Sequence, residues 1–301
     1  MGAVGFGLNI SSSPATDAVA EARNAEALGF DLVTVHPDHP PATGRHGTAP
    51  SLEAWGLLAW IAARTTSVTL APCVLSLPFR HPALVAKMAE TFDRLSGRRL
   101  VLGLGAGGDD EATRAFGLEV LQGHQKVEAL EEAIDVIRGL WTTAEFTMHG
   151  RHFRLEAASI EPRPSRPIPI WVGAYGPQML DLVGRKADGW LPTLHYLVHV
   201  LGREPSALEG MLARVRRAAV DAGRDPDDIT YACNVQVLID GDLGPRRGQV
   251  TGGAEEVTRQ LQKLIGLGFT FINVWPVGDS ASLPSQLAQD VIPVLRGVSA
   301  Y

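Results

Sequence analysis

The sequence alternates between short apolar runs and amphipathic segments, and the alternation recurs eight times along the chain. Each apolar run resembles a buried strand in its length and β-branched content, and each is followed by a segment with helical periodicity. The predicted strands are Val4–Ile10, Asp31–Val35, Val68–Val74, Arg99–Leu104, Ile168–Val172, Asp188–Leu191, Thr230–Ile239 and Phe271–Val274. Eight strand–helix pairs fit a closed barrel better than an open sheet, so the sequence predicts an α/β fold, a (β/α)8 TIM barrel.

One segment interrupts this alternation, between the fourth helix and the fifth strand. Thr143–Pro167 alternates aromatic and polar residues around His149-Gly150, which is a hairpin signal, and then becomes rich in proline. The remaining sequence contains no linker that would divide the chain. We therefore predict one barrel domain over residues 1–301, with an insertion at about 143–167.

Bulk composition limits the classes of partner. The 301 residues carry a formal net charge of −6, which argues against a nucleic-acid surface. Cys73 and Cys233 are the only cysteines, so neither a disulfide framework nor a zinc–thiolate site is expected. No apolar run reaches the roughly 18 residues of a membrane span. These features predict a cytoplasmic protein without a nucleic-acid or membrane partner.

The third and fourth predicted strands flank an amphipathic helix, Pro82–Ser96, and form a βαβ unit with parallel neighbours. The loops at their carboxyl ends should border a ligand site, because ligands of α/β folds bind at that edge. Pro72 within the third strand is disfavoured in a regular ladder and indicates either an irregular peptide that faces a flat ligand or a simple strand end. Cys73 has no basic neighbour in sequence and is expected to be inert.

The fourth strand runs into a glycine-rich loop, Gly103–Gly108, that resembles G-x-G-x-x-G. A dinucleotide fold needs a helix that starts inside this motif, whereas here the helix starts only near Asp110. The glycines are better explained by close approach of a ligand to the backbone. Asp109, Asp110 and Glu111 have a simple structural explanation as well, because the helix dipole favours acidic residues at a helix N-terminus.

Two further loops carry candidate site residues. The segment Pro167–Leu180 ends a strand and opens a helix at Gly176-Pro177, where free N–H groups could bind a cofactor phosphate. The loop after the second strand begins His36-Pro37-Asp38-His39. A metal site and simple turn capping are alternatives for this loop, but we favour a polar clamp on a bound ring system. Amidohydrolase-type metal barrels need His-x-His on the first strand, which has no histidine here.

At these residues the chain resembles the luciferase-like monooxygenase superfamily, and more narrowly its branch that uses the deazaflavin coenzyme F-420. The segments that carry the resemblance are Ala25–His39, Val68–Lys87, Arg98–Gly107, Gly150–Leu155, Pro167–Pro177 and Arg185–Thr193. The resemblance implies a TIM barrel with an insertion after the fourth helix, assembled as a homodimer. It also implies a cofactor ring at the carboxyl-terminal mouth, against a non-proline cis peptide that would here be Cys73–Val74.

The resemblance further implies roles for individual residues. The resemblance places His39 at the ring or substrate. Because hydride transfer also needs a proton, we predict that His39 or Asp109 is the catalytic residue that donates or accepts it. The cofactor-binding candidates are Asp38, Cys73, Val74, Ser76, Gly105, Ala106, Gly107, Gly173, Ala174, Tyr175, Gly176, Pro177 and Trp190. Among these, Ser76 would contact the cofactor, the 105–107 loop would pack on its tail, and the 173–177 loop would hold its phosphate.

Two departures from the family pattern narrow the function. F-420-dependent sugar-phosphate dehydrogenases carry a glutamate after the glycine loop, where this chain has Gly108, and no basic set for a sugar phosphate is evident. The sequence Ala174–Pro177 lacks a serine found in many FMN members, which, together with Ala187–Trp190, favours F-420 over FMN.

Four functional hypotheses follow. The favoured one is an F-420-dependent oxidoreductase that transfers a hydride between the deazaflavin and a small organic substrate. The alternatives are an FMN-dependent luciferase-like monooxygenase, a non-catalytic deazaflavin- or flavin-binding protein, and a metal-dependent hydrolase.

Overall fold

The computed structural model describes residues 4–36, 50–239, 246–278 and 281–297. Strands β1 to β12 span Gly5–Ile10, Leu32–Val35, Thr69–Pro72, Leu75–Ser76, Leu102–Gly105, Phe146–His149, Arg154–Ala158, Ile170–Val172, Gly189–Trp190, Thr230–Ile239, Val250–Gly252 and Phe271–Pro276. Helices α1 to α11 span Ala18–Ala27, Ala54–Ala62, Pro82–Leu95, Asp110–Ala115, His124–Thr142, Pro177–Lys186, Leu194–His199, Ala207–Asp221, Ala254–Leu267, Leu283–Gln286 and Ile292–Arg296. Each helix within these ranges is too short or too polar to cross a membrane.

The barrel strands are parallel and follow one another around a ring. The hydrogen-bonded order runs β3, β2, β1, β12, β10, β9, β8, β5 and β4. β3 and β4 are two halves of one barrel strand, and a bridge between Leu70 and Leu100 links β3 to the segment before β5. The ring therefore has eight positions, which confirms the predicted (β/α)8 barrel.

The third barrel strand is broken where the sequence places Pro72. The peptide bond between Cys73 and Val74 is cis, as the resemblance implied. β3 pairs with β2 before this bond, whereas β4 pairs with β5 after it. The break therefore divides the strand between its two neighbours at the carboxyl-terminal mouth.

The predicted insertion forms a β-hairpin beside α5. β6 and β7 pair antiparallel around the His149-Gly150 turn, which confirms the hairpin signal. One carboxylate fastens the hairpin to the barrel, because Glu132 on α5 accepts hydrogen bonds from the backbone N–H groups of Arg151, His152 and Phe153. Two short elements, α7 and β11, were not predicted; both lie in loops at the mouth end of β9 and β10.

The barrel interior is filled by aromatic rings that occupy the space opposite glycines. Trp171 and Phe271 meet edge to face, with ring centroids 5.4 Å apart. A Cβ on Gly189 would lie 2.3 Å from the Trp171 ring, and a Cβ on Gly5 would lie 2.3 Å from the Phe271 ring. These contacts require glycine at both positions and leave the barrel interior densely packed at this level.

Candidate active site

The carboxyl ends of the barrel strands border a cavity of about 780 Å³. The predicted cofactor residues that line it are Cys73, Val74, Ser76, Gly105, Ala106, Gly107, Gly173, Ala174, Tyr175, Gly176 and Pro177. They come from three neighbouring positions of the ring, namely β3/β4, β5 and β8. The fold thus brings three loops that are distant in sequence onto one continuous wall.

This wall is smooth because it consists largely of backbone and small residues. A Cβ on Gly105 would lie 2.8 Å from Val74 Cγ2. Gly107 has φ of +90°, and a Cβ there would lie 2.8 Å from Pro78 Cγ. Glycine is therefore required at both positions, and the backbone is left accessible to a flat ligand.

Two buried polar atoms that have no hydrogen-bond partner within the described ranges belong to residues of this cavity. They are Ser76 Oγ, on the glycine-rich wall, and Trp275 Nε1, on β12 across the ring. His36 also lines the cavity and packs edge-on against Trp275, with ring centroids 5.0 Å apart. Buried polar groups are normally hydrogen-bonded, so these two atoms mark positions where a ligand or water is expected.

A hydrogen-bonded layer of side chains forms the floor of the cavity. Asn234 Oδ1 accepts from Asn273 Nδ2 at 2.7 Å and from Cys73 Sγ at 3.4 Å, while Asn234 Nδ2 donates to Thr193 Oγ1 at 3.0 Å. Asn273 Nδ2 also donates to Thr34 Oγ1 at 3.0 Å. The network connects β2, β10 and β12 with the Cys73–Val74 step and with the β9–α7 loop.

The thiols are held in their neutral form. Burial raises the pKa of Cys73 to about 12, although its hydrogen bond to Asn234 acts in the opposite direction, and burial raises the pKa of Cys233 to about 12. This agrees with the expectation that Cys73 is not a nucleophile.

We therefore expect both thiols to resist iodoacetamide at pH 8 in the native protein. A pKa of about 12 leaves roughly one thiolate in ten thousand at that pH, and burial restricts access further. Mass spectrometry before and after denaturation in urea should show no labelling and then double labelling. Rapid labelling of the native protein at Cys73 would contradict the neutral, enclosed thiol.

The start of α6 supplies hydrogen-bond donors to the same cavity. Gly176 is the N-cap, Pro177 is the first helical residue, and no side chain caps this end. Gln178 and Met179 of the first turn line the cavity. An uncapped helix N-terminus with free N–H groups is suited to an anion such as a phosphate.

Tyr175 and Thr193 form a hydrogen bond at the rim of the cavity, beside the start of α6. The Thr193 backbone N–H donates to the Tyr175 hydroxyl oxygen at 2.7 Å. Burial raises the pKa of Tyr175 above its ordinary value, so the phenol remains neutral. The Tyr175 ring packs against the Tyr196 ring of α7, with centroids 5.0 Å apart.

Two predicted site residues lie elsewhere. Asp109 Oδ1 accepts from the Ala112 N–H at 2.8 Å as the N-cap of α4, and Asp109 does not line the cavity. This position does not support the predicted role as proton donor.

Trp190 is fully buried behind the wall, where its indole N–H donates to the Ala174 carbonyl at 3.0 Å. Since side chains alternate along a strand and Gly189 faces the barrel interior, Trp190 faces the helices and supports the wall without touching the cavity.

Asp38 and His39 lie outside the described residues, so their predicted roles stay predictions. Within the described part of the chain, no group of three or more histidine, cysteine, aspartate or glutamate side chains is arranged to hold a metal ion.

Sequence reasoning missed several residues of the cavity, among them Lys126, Asn234 and Trp275. Asn234 and Asn273 carried a usable signal, because an amide inside an otherwise apolar strand must find a partner. Trp275 lies only one residue beyond the predicted end of its strand. Lys126 gave no signal, because a lysine near the start of an amphipathic helix is ordinary.

Comparison with known proteins agrees with this architecture. A family model described as luciferase-like monooxygenase matches residues 4–269. The chain belongs to the luciferase-like monooxygenase family.

The chain is similar in sequence to named relatives and in fold to solved structures. The chain is 30% identical to an F-420-dependent glucose-6-phosphate dehydrogenase of Intrasporangium calvum, over 91% of this chain and 93% of that protein. A protein of the same name from Kribbella flavida is 27% identical over 97% of this chain and 98% of its own length. An F-420-dependent secondary alcohol dehydrogenase in complex with an F-420–acetone adduct superposes with a TM-score of 0.86, at 20% identity, covering 98% of this chain and 99% of the other. A long-chain alkane monooxygenase superposes with a TM-score of 0.80, at 14% identity, covering 98% and 92%.

Proposed function

We propose that this protein is a coenzyme F-420-dependent oxidoreductase that transfers a hydride between the deazaflavin and a small organic substrate. The observation that carries the proposal is the smooth wall of Cys73–Val74, Gly105 and Gly107 at the barrel mouth, with the unpartnered Ser76 hydroxyl beside it. The F-420-dependent relatives that align over nine-tenths of the chain support the same cofactor.

The residues present fit this cofactor. Ser76 offers a buried hydroxyl without a partner among the described residues, and the start of α6 offers donors for a phosphate. Gly105 and Gly107 keep the wall flat, because Val74 and Pro78 leave no room for a Cβ at either position. When bound, the deazaflavin supplies the hydride chemistry at its C5 position. The chain contributes orientation, through a wall that the Asn234 network holds in place.

The opposite side of the cavity is proposed to face the organic substrate. Trp275 and His36 line that side and are far larger than the residues of the glycine-rich wall. Hydride transfer to or from an oxygen-bearing carbon also requires a proton to move. We propose that His39, three residues beyond the cavity-lining His36, exchanges that proton.

The substrate is proposed to differ from that of the sugar-phosphate relatives. Gly108 lines the cavity where those enzymes carry a glutamate. Among the cavity-lining residues in the described ranges, Lys126 is the only lysine or arginine. A single cation at the rim is a weak match for a dianionic sugar phosphate, which favours an uncharged substrate.

An FMN-dependent monooxygenase is the second candidate, because the matching family model is described as luciferase-like monooxygenase. Titration of the purified protein with F-420 and, separately, with FMN distinguishes the two by fluorescence. We expect submicromolar binding of F-420 and negligible binding of FMN, and the reverse would refute the proposal. Bound F-420 that is neither reduced nor oxidised with a broad panel of alcohols and ketones would favour a non-catalytic binding protein.

Assembly and location are also proposals. A homodimer is supported by the family resemblance and by the exposed apolar side chains Leu84 and Leu95 on α3. Light scattering during size-exclusion chromatography measures this directly. A cytoplasmic location is supported by the two free, buried cysteines.

A further inference from the structure

A positively charged side chain is held at the rim of the cavity beside the glycine loop. Lys126 Nζ donates to the Gly107 carbonyl at 3.0 Å and to Asp110 Oδ1 at 2.5 Å, and Lys126 itself lines the cavity. The hydrogen bond from the Lys126 ammonium holds the pKa of Asp110 below its ordinary value. We refer to Ser76, Gly107, Asp110 and Lys126 together as the Lys126 corner.

The Lys126 corner contains a buried hydroxyl without a partner. Ser76 is only 7% exposed, and its Oγ has no hydrogen-bond partner among the described residues. A Cβ placed on Gly107 would lie 3.3 Å from this oxygen, so Ser76 packs against the loop whose Gly107 carbonyl accepts the hydrogen bond from Lys126. The hydroxyl and the ammonium therefore border the same part of the cavity from two sides of Gly107.

The start of α5 adds a second feature that favours an anion. This helix has 19 residues, Gly123 is its N-cap, no side chain caps it, and its first turn contains no acidic residue. Gln122, Gly123 and Lys126 from this helix end all line the cavity. The backbone N–H groups of Gln125 and Lys126 donate to the carbonyls of Gln122 and Gly123, so the positive end of the helix dipole, more than free N–H groups, favours an anion beside the ammonium group.

We infer that Lys126 and the start of α5 form a subsite for an anionic group on the tail of the cofactor, separate from the phosphate site at the start of α6. This inference rests on the proposed function and deepens it. Coenzyme F-420 carries a phosphodiester followed by glutamyl carboxylates, whereas FMN ends at one phosphate. Two uncapped helix ends at one cavity match a ligand that carries two separated anionic groups.

The hydrogen bonds of Lys126 leave capacity for such a group. An ammonium group has three protons, of which Gly107 and Asp110 accept two. Asp110 is the opposing carboxylate at this corner, and it reduces the attraction without occupying the third proton. If Lys126 only held α5 against the glycine loop, its replacement would weaken binding of the ring and of the tail alike. If Lys126 binds the tail, its replacement weakens only the binding of ligands that carry the tail.

The test compares ligands that share the ring but differ in the tail. Wild type and Lys126→Gln are titrated by fluorescence with F-420 and with the phosphate-free deazaflavin core, which carries only the ring and the ribityl chain. We expect Lys126→Gln to weaken F-420 binding about tenfold and to change binding of the core less than about twofold. Added salt should weaken F-420 binding more steeply in wild type than in the variant.

Matched variants and a third ligand complete the design. Lys263→Gln removes an exposed lysine of α9 far from the cavity and should leave both affinities unchanged. Lys126→Arg should retain most of the affinity for F-420. F-420 without glutamates keeps the phosphodiester and so tests whether the two sites are separate. We expect Lys126→Gln to change binding of this ligand less than about twofold, because Lys126 binds a glutamyl carboxylate. An equal loss with and without glutamates would place the phosphodiester at Lys126 and overturn a subsite separate from the start of α6. Equal loss for F-420 and for the core overturns the inference, whereas failure of wild type to bind either ligand overturns the proposed function itself.

Discussion

Gly103→Ala is expected to lower the free energy of unfolding by about 3 kcal/mol, or to prevent folding. Gly103 lies on β5, and a Cβ there would lie 2.1 Å from the Pro72 carbonyl oxygen. The obstacle is backbone, so it cannot move aside by a side-chain rotation. The new methyl group would have to push β3 away from β5 at the point where the third barrel strand breaks.

Urea unfolding followed by circular dichroism measures this effect, and the same loop offers a control. A Cβ on Gly108 would have no atom of the described residues within 4 Å beyond its chain neighbours, and Gly108 has no positive φ. Gly108→Ala should therefore stay within about 0.5 kcal/mol of wild type. Equal stability of the two variants would show that β3 and β5 do not approach as closely as the structure has them.

The close approach at Gly103 also shows what sequence patterns capture and what they miss. Pro72 indicated an irregular third strand, and the glycines indicated close approach of a ligand to the backbone. At Gly103 the group that approaches closely is instead the Pro72 carbonyl. Sequence spacing could not show that Pro72 and Gly103 lie close together, because they belong to two strands that only the folded barrel brings together. The cis bond at Cys73–Val74 came from the family resemblance and not from local propensity.

Side-chain direction caused the clearest differences between prediction and structure. Asp109 and Trp190 both stand beside cavity residues in sequence, but Asp109 turns back to cap α4 and Trp190 faces the helices. A strand of two residues, β9, gives too little alternation to reveal which of Gly189 and Trp190 points inward. Lys126 lies nineteen positions after Gly107, and only the packing of α5 against the glycine loop brings the two together.

Asn234→Leu is expected to lower the free energy of unfolding by about 3 kcal/mol and to weaken binding of F-420. Asn234 is 2% exposed, and its side chain forms hydrogen bonds with Asn273, Cys73 and Thr193. A leucine of similar size removes all three hydrogen bonds and leaves buried polar groups without partners, each of which costs about 1–3 kcal/mol. Asn273 keeps its bond to Thr34, so the loss is expected to be smaller than the sum of the three.

The affinity for F-420 should fall together with stability, because Asn234 holds Cys73 on one side of the cis bond and Thr193 on the rim. The matched control is Gln249→Leu, which breaks one amide–amide hydrogen bond of 2.8 Å, to Gln236, at a partly buried position away from the wall. That control should cost less than about 1 kcal/mol and leave F-420 binding unchanged. If Asn234→Leu lost stability but bound F-420 as tightly as wild type, the polar floor would be structural only, and the position of the ring wall would depend on the backbone alone.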